Sequence, residues 1–236
     1  MNIKNEFKIP KNVSEARTMQ LNLKNRVSLK NKFGDISEIR TVAGCDVSYL
    51  PERHSRAGSI DEKNIYAAIV VLDINTLKTL ETVKIKHRRS FLFPYIPGYL
   101  SFREGPVLIE AFKKLDIEPD LVIFDGQGIA HPRGIGIASH MGVILDKPAI
   151  GCAKSLLYGS YDEPPPGLKG AYTFLKDPSC TIIGIVMRSK KNTNPIFISQ
   201  GNKIGLDMCA DVVFNCLTKY RVPEPLRLAH IGANDN

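Results

Sequence analysis

The chain has 236 residues, 43% hydrophobic and 24% charged, near globular averages, a composition that allows a sizeable core and shows no sign of global disorder. Its net charge of +8 favours a polyanionic partner without singling out nucleic acid from an anionic membrane. The N-terminus has no apolar signal core and the longest apolar run, Ile65–Leu72, cannot span a bilayer, so a soluble, cytoplasmic protein without membrane association is expected; a monomer is the default expectation, which no sequence feature sets.

In chain order, the apolar residues Val13, Ala16, Met19, Leu23 and Val27 recur at three- and four-residue steps and predict an amphipathic helix. Three β-branched stretches, Thr41–Leu50, Ile65–Ile74 and Lys78–Lys86, predict strands of an antiparallel meander. The polar segment Pro51–Asn64 reads as a loop, and Asp73 to Asn75 as a tight turn. A stiff, proline-punctuated segment at 93–98 precedes a predicted helix Ser101–Leu115, a strand Leu121–Phe124, a helix Ile135–Leu145 and a buried strand Ala149–Ala153. That strand-helix-strand spacing suits parallel pairing.

The three prolines 164 to 166 mark Tyr158–Gly170 as irregular, with strands predicted at Ala171–Leu175, Thr181–Met187 and Ile196–Ser199 and a helix at Leu206–Tyr220. No repeat or linker divides the chain, so one domain over residues 1–236, an α/β mixed sheet flanked by helices, is expected. The five cysteines include no CxxC pair, so reduced thiols are expected rather than disulfides or a zinc ribbon.

Three carboxylates stand out. Asp46 interrupts an apolar strand, where an unpaired charge is costly, although an aspartate on the solvent side or one capping a neighbour reads the same way. Asp125 closes a strand before Gly126-Gln-Gly128, at the sheet edge where α/β proteins build sites, and is equally compatible with an ordinary Asx turn. Glu104 falls in the first turn of a helix, where the helix dipole alone favours an acid. Together the three suit Mg²⁺, which prefers oxygen ligands and retains waters for use as nucleophiles, and so suit phosphodiester hydrolysis. Lys154, just after a strand, is placed to stabilise charge on phosphorus or is simply a solvated strand end. His131, His140 and His230 are too widely spaced for a structural zinc site. Tyr95 and Ile96, between two prolines, form either a rigid apolar wedge or a loop packed into the core. Gly126, Gly128, Gly134 and Gly136 lack the spacing of a dinucleotide fingerprint.

The runs VAGCD at 42–46, FPYIPGYLSFREGP at 93–106 and DGQGIAHPR at 125–133 closely resemble the endonuclease V family, and the similarity continues through GIASHMG at 136–142, GCAK at 151–154 and PEPLRLAH at 223–230. The resemblance implies a ribonuclease H-like fold and Mg²⁺-dependent hydrolysis, with Mn²⁺ as a substitute, of the second phosphodiester bond 3′ to deoxyinosine. A 3′-hydroxyl and a 5′-phosphate result, and the base stays attached. By the same matching Asp46, Glu104 and Asp125 look like the metal ligands, His230 an acid-base or water-positioning residue, and Lys154 a contact to the scissile phosphate. Tyr95, with Ile96, Pro97 and Gly98, looks like the strand-separating wedge, and Leu100, Gly126, Gly128, Ile129, His131 and Arg133 surround the flipped base. DNA containing deaminated bases is the expected partner. Inosine-containing RNA is the alternative substrate, and a non-catalytic nucleic-acid binder a further one. The family's common Pro-Gly-His is replaced by SQGN at 199–202, and Cys45 precedes the first acid where a small or aliphatic residue is common.

Overall fold

The computed structural model describes residues 1, 3, 5–51, 63–87 and 93–235. The first strand, β1 (Thr41–Pro51), pairs antiparallel with β2 (Lys63–Asp73), which pairs antiparallel with β3 (Thr79–His87). This is the expected meander, and its strands run to Pro51 and from Lys63; the rest of the predicted Pro51–Asn64 loop lies outside the described residues. On its other side β1 runs parallel to β4 (Leu121–Phe124), and β4 parallel to β5 (Ala149–Ala153). Three further strands, β6 (Tyr172–Lys176), β7 (Ile182–Met187) and β8 (Ile196–Asn202), extend the sheet antiparallel to one another. The order is β3-β2-β1-β4-β5-β8-β7-β6, a mixed sheet of the expected ribonuclease H-like kind.

The strands β4 and β5 are buried along their whole length, as parallel strands covered on both faces must be. One face is covered by α2 (Leu100–Lys113) and α3 (Ile137–Leu145), with Val107, Leu108, Phe112, Met141 and Ile144 packed on Ala43, Val122 and Phe124. The other is covered by α4 (Leu206–Asn215) and α5 (Glu224–Asn234), with Cys209, Val213, Leu226 and Ala229 packed on Val42, Leu121 and Ile123. Alternate residues of β1 therefore serve opposite cores, which sends Gly44 and Asp46 to the α5 side. The N-terminal helix α1 (Val13–Lys24) begins at Asn12, whose side chain caps the Glu15 N–H, and ends before the predicted Val27. Among the described residues no helix is long and apolar enough to cross a membrane.

Two helix predictions need correction. The helix starting at Leu206 stops at Asn215, not Tyr220, because the chain turns back and the Glu224 N–H bonds the Cys216 carbonyl at 2.8 Å. The final helix, α5, was absent from the sequence reading although Pro225 in its first turn is a helix-start signal. It packs so closely on β1 that a Cβ on Gly44 would lie 2.2 Å from the Pro225 carbonyl carbon.

Gly44→Ala is accordingly expected to push α5 off the sheet and to cost ~1–3 kcal/mol, the usual range for overpacking. Urea denaturation and hydrogen exchange of the α5 amides measure both effects, and wild-type values for both would show that α5 yields without penalty.

Candidate active site

In the parallel pair β1 and β4, Cys45 lies level with Phe124, so the next residues, Asp46 and Asp125, emerge from adjacent strands at the same end of the sheet. Both follow residues of the α2–α3 core and so project to the α5 side. Their side chains are only 14% and 21% exposed, which brings two like charges into a poorly hydrated place. Glu104 joins them from α2, where it is the fifth residue and so lies past the first turn in which the sequence placed it, because the helix begins at Leu100; its Oε1 accepts a hydrogen bond from the Tyr49 hydroxyl at 3.3 Å.

The electrostatics record this convergence. Burial, then the Asp125 charge, raises the Asp46 carboxyl above its ordinary range. Burial, then Asp46 and Asp125, pushes Glu104 up to about 8. The Cys45 thiol beneath is driven up by burial first and then by all three carboxylates. Two cationic or protonatable side chains answer the repulsion. Lys154, following β5, forms an ion pair with Asp125, and although burial disfavours its ammonium, Asp125 and Asp46 outweigh that and raise its pKa. His230, on α5, places Nδ1 2.7 Å from Asp46 Oδ2. An imidazole nitrogen facing a carboxylate carries the hydrogen, which leaves Nε2 as the acceptor in the neutral ring.

All five expected catalytic residues thus meet at one sheet end. Among the described residues, however, no three His, Cys, Asp or Glu side chains are already gathered as a metal-binding group, since Asp46 and Asp125 lean on His230 and Lys154 instead. The donor set is still the oxygen-only one that hard divalent cations take.

Beside the carboxylates lies a pocket of ≈ 340 Å³ whose lining includes Asp125, Gly126, Lys154, Leu100, Ile137 and the segment Tyr95 to Gly98. Tyr95 is 70% exposed at its rim, so this tip is not packed into the core. The base of the same loop is anchored by buried Phe93 and Tyr99 against Phe102 and Ala16. Its position is fixed at one atom: the Gly98 carbonyl accepts hydrogen bonds from Gln20 Nε2 at 2.9 Å, His131 Nε2 at 3.0 Å and Arg133 Nη2 at 2.6 Å. His131 Nδ1 accepts the Arg133 N–H at 3.1 Å, so the hydrogen sits on Nε2; burial and the Arg133 charge hold this ring down to about 4, neutral at physiological pH. Gly98 has φ +81°, and a Cβ there would meet Arg133 Nη2 at 2.7 Å, so both conformation and crowding require glycine.

Three of the residues expected around the base stand elsewhere. Gly128 is small because the backbone of β8 lies against it, a Cβ there falling 2.0 Å from the Gln200 oxygen. Ile129 lines a separate pocket with Lys24, Val27 and Tyr158. Arg133 spends its guanidinium on Gly98, on Gln20 Oε1 and on the Tyr99 ring at 4.1 Å, supporting the wedge loop rather than facing the pocket. The SQGN departure is structural: Gln200 Nε2 bonds the Ile204 carbonyl at 2.9 Å, Asn202 Nδ2 the Gly142 carbonyl at 3.0 Å, and neither lines the pocket.

Sequence reasoning missed four supporting residues. Gln20 is 1% exposed on the apolar stripe of α1, and a polar residue on that stripe was the available signal. Asn234, one turn after His230, donates to the His230 carbonyl at 2.7 Å and accepts from the Ser48 hydroxyl at 2.7 Å, tying α5 to β1. Tyr49, on the same face of β1 as Cys45, donates to Glu104 and carried no local signal of that role.

The raised Glu104 carboxyl gives a pH test. Folded protein holds this proton where the unfolded chain, near its ordinary 4.5, has lost it, so stability falls as pH rises from about 4.5 through about 8. Glu104→Gln is expected to flatten that slope and, in chelator at high pH, to be more stable than wild type by ~0.5–2 kcal/mol. Urea denaturation across this range checks it, and equal slopes for both proteins would clear Glu104 of the effect.

Comparison with known proteins agrees with this geometry. A model of the family described as Endonuclease V matches residues 21–231. The Endonuclease V of Rippkaea orientalis is 46% identical over 229 residues, 97% of this chain and 93% of that one. The crystal structure of the Bacillus subtilis Endonuclease V superposes with a TM-score of 0.89 at 33% identity, covering 99% of this chain and 96% of the other. The Ciona intestinalis Endonuclease V, solved with a 24mer DNA containing an inosine followed by a ribo-adenosine, superposes with a TM-score of 0.79 at 27% identity, covering 94% and 96% of the two chains. With the matched carboxylates converging at one sheet end beside a pocket and an exposed tyrosine, the chain belongs to the endonuclease V family of nucleases.

Proposed function

We propose that the chain is a Mg²⁺-dependent DNA repair endonuclease that nicks the strand at the second phosphodiester bond 3′ to deoxyinosine and related deaminated bases. The observation that carries this reading is the joining of two parts in one cleft: Asp125 and Lys154 line the same pocket as Tyr95, Ile96 and Leu100. A base turned out of the stack would enter the pocket, and Tyr95 would fill the gap it leaves, at a cost least for a mismatched pair. Support comes also from the inosine-containing DNA in the Ciona complex.

Asp46, Glu104 and Asp125 would hold Mg²⁺, or Mn²⁺ in its place, and binding would relieve the repulsion that raises Asp46 and Glu104. Such an ion supplies an activated water and neutralises charge on the phosphate. The chain's own residues do the rest. Lys154 offers its ammonium to the non-bridging phosphate oxygens, and His230, oriented by Asp46 and by the α5 packing, exchanges a proton at Nε2. Gly126, at φ +153°, leaves the backbone beside Asp125 uncovered, with Ile137 as an apolar wall.

A second reading, cleavage of inosine-containing RNA, is favoured by one observation, the ribo-adenosine that follows inosine in the Ciona complex. A non-catalytic binder gains nothing from clustered carboxylates near phosphates.

On an end-labelled duplex with one deoxyinosine, a Mg²⁺-dependent nick one nucleotide past the lesion is expected, with Asp46→Ala and Asp125→Ala reducing it by ~10³-fold or more. Matched RNA cut faster than DNA would move the substrate to inosine RNA, and no nick on either would overturn the nuclease reading. Tyr95→Ala is expected to slow cleavage of the paired duplex roughly tenfold while sparing single strands. Equal losses on both substrates would argue against wedging.

A further inference from the structure

The two side chains that answer the carboxylates come from distant parts of the chain, Lys154 from the end of β5 and His230 from α5, and one residue ties their supports together. Arg221 lies in the connection between α4 and α5, three residues before α5 begins. Its Nη2 donates to the Lys154 carbonyl at 2.6 Å and to the Pro195 carbonyl at 2.9 Å, while Nε donates to the Asn194 carbonyl at 2.8 Å. The Arg221 carbonyl in turn accepts the hydroxyl of Ser189, which is fully buried just beyond β7. A single guanidinium thus holds the exit of β5 and the entrance of β8, and its own backbone is pinned to the exit of β7.

This arrangement constrains the Lys154 main chain at its own carbonyl, while Gln127 Nε2 holds the next carbonyl, that of Ser155, at 3.1 Å. β5 ends at Ala153, so the Lys154 backbone lies outside the sheet ladder, and its side chain is 41% exposed with Asp125 as ion-pair partner. A flexible four-carbon stem on a less firmly held backbone would sample more positions of its ammonium. Arg221 fixes the main chain from which that stem starts, and its planar fork reaches several carbonyls that a lysine cannot hold at once. We propose that Arg221 is a positioning residue for cleavage, acting through Lys154 by holding its carbonyl, without itself contacting nucleic acid. The inference rests on the reading of Lys154 as the contact to the scissile phosphate.

The test is a double-mutant cycle on the full chain, measuring single-turnover cleavage of the deoxyinosine duplex with Mg²⁺ and duplex affinity in chelator. Arg221→Gln is expected to slow cleavage about 10–100-fold, the usual effect of removing a support behind a reacting group. Affinity should stay within about threefold, and Arg221→Lys should recover part of the rate. In a Lys154→Ala background Arg221→Gln should cost nothing more, because residues acting as one unit are non-additive. The same loss in both backgrounds would overturn the proposal in favour of a general structural role. A weaker affinity with a shallower salt dependence would overturn it in favour of a direct phosphate contact. If Lys154→Ala alone leaves cleavage unchanged, the underlying reading of Lys154 fails; if Lys154→Ala is slow and Arg221→Gln is not, only the Arg221 proposal fails. Should Arg221→Gln not fold, Arg221→Lys carries the same cycle.

Discussion

Because β1 and β4 run parallel with Cys45 level with Phe124, Asp46 and Asp125 leave neighbouring strands about 5 Å apart, the spacing of adjacent strands, and face the same side of the sheet. Two carboxylates that close repel one another, and Glu104 arriving from α2 adds a third negative charge with little water to screen it. Most of the architecture around this sheet end can be understood as a response to that repulsion. A fold that keeps such a group of like charges has given up stability at this sheet end.

The response comes from both faces. On the α2–α3 side, the apolar packing of Val107, Leu108 and Phe112 on the sheet fixes the helix that carries Glu104. On the other side, the absence of a side chain at Gly44 lets α5 approach β1 closely enough for His230 to reach Asp46, and Asn234 and Ser48 hold that distance. The fifth member, Lys154, comes from the end of β5, two strands from β1. Packing density, not the polar groups themselves, sets where the charges stand.

The pocket and the wedge loop obey a different logic. The loop owes its stiffness to two prolines and a buried aromatic base, but its position is decided by one carbonyl, Gly98, with donors from α1 and from the segment after β4. Arg133 and His131 therefore couple the exposed Tyr95 tip to the backbone that leads from Asp125, so the pocket and the carboxylates share a scaffold. The separation of roles is visible in the glycines: Gly126 opens the pocket, whereas Gly128 and Gly136 let strands and turns approach one another.

Local sequence determined much of this. Strand alternation, the proline-stiffened loop and an acid inside one strand and just after another are properties of neighbouring residues, and so are the long motifs that carry the family resemblance, so Asp46, Glu104, Asp125, Lys154, His230 and Tyr95 were legible as candidates. Tertiary structure decided what those residues face. Arg133 lies in the same motif as Gly126 yet turns onto Gly98 and Tyr99, and Gly128 is small for β8 rather than for a base, because both outcomes depend on elements more than thirty residues away. Gln20 and Arg221 gave even less away, since a polar side chain takes its role from carbonyls that only folding brings within reach, and those partners lie 78 and 67 positions distant. Sequence proximity fixes conformation through short-range sterics, whereas a hydrogen bond across the fold exists only once the hydrophobic cores have set the distances.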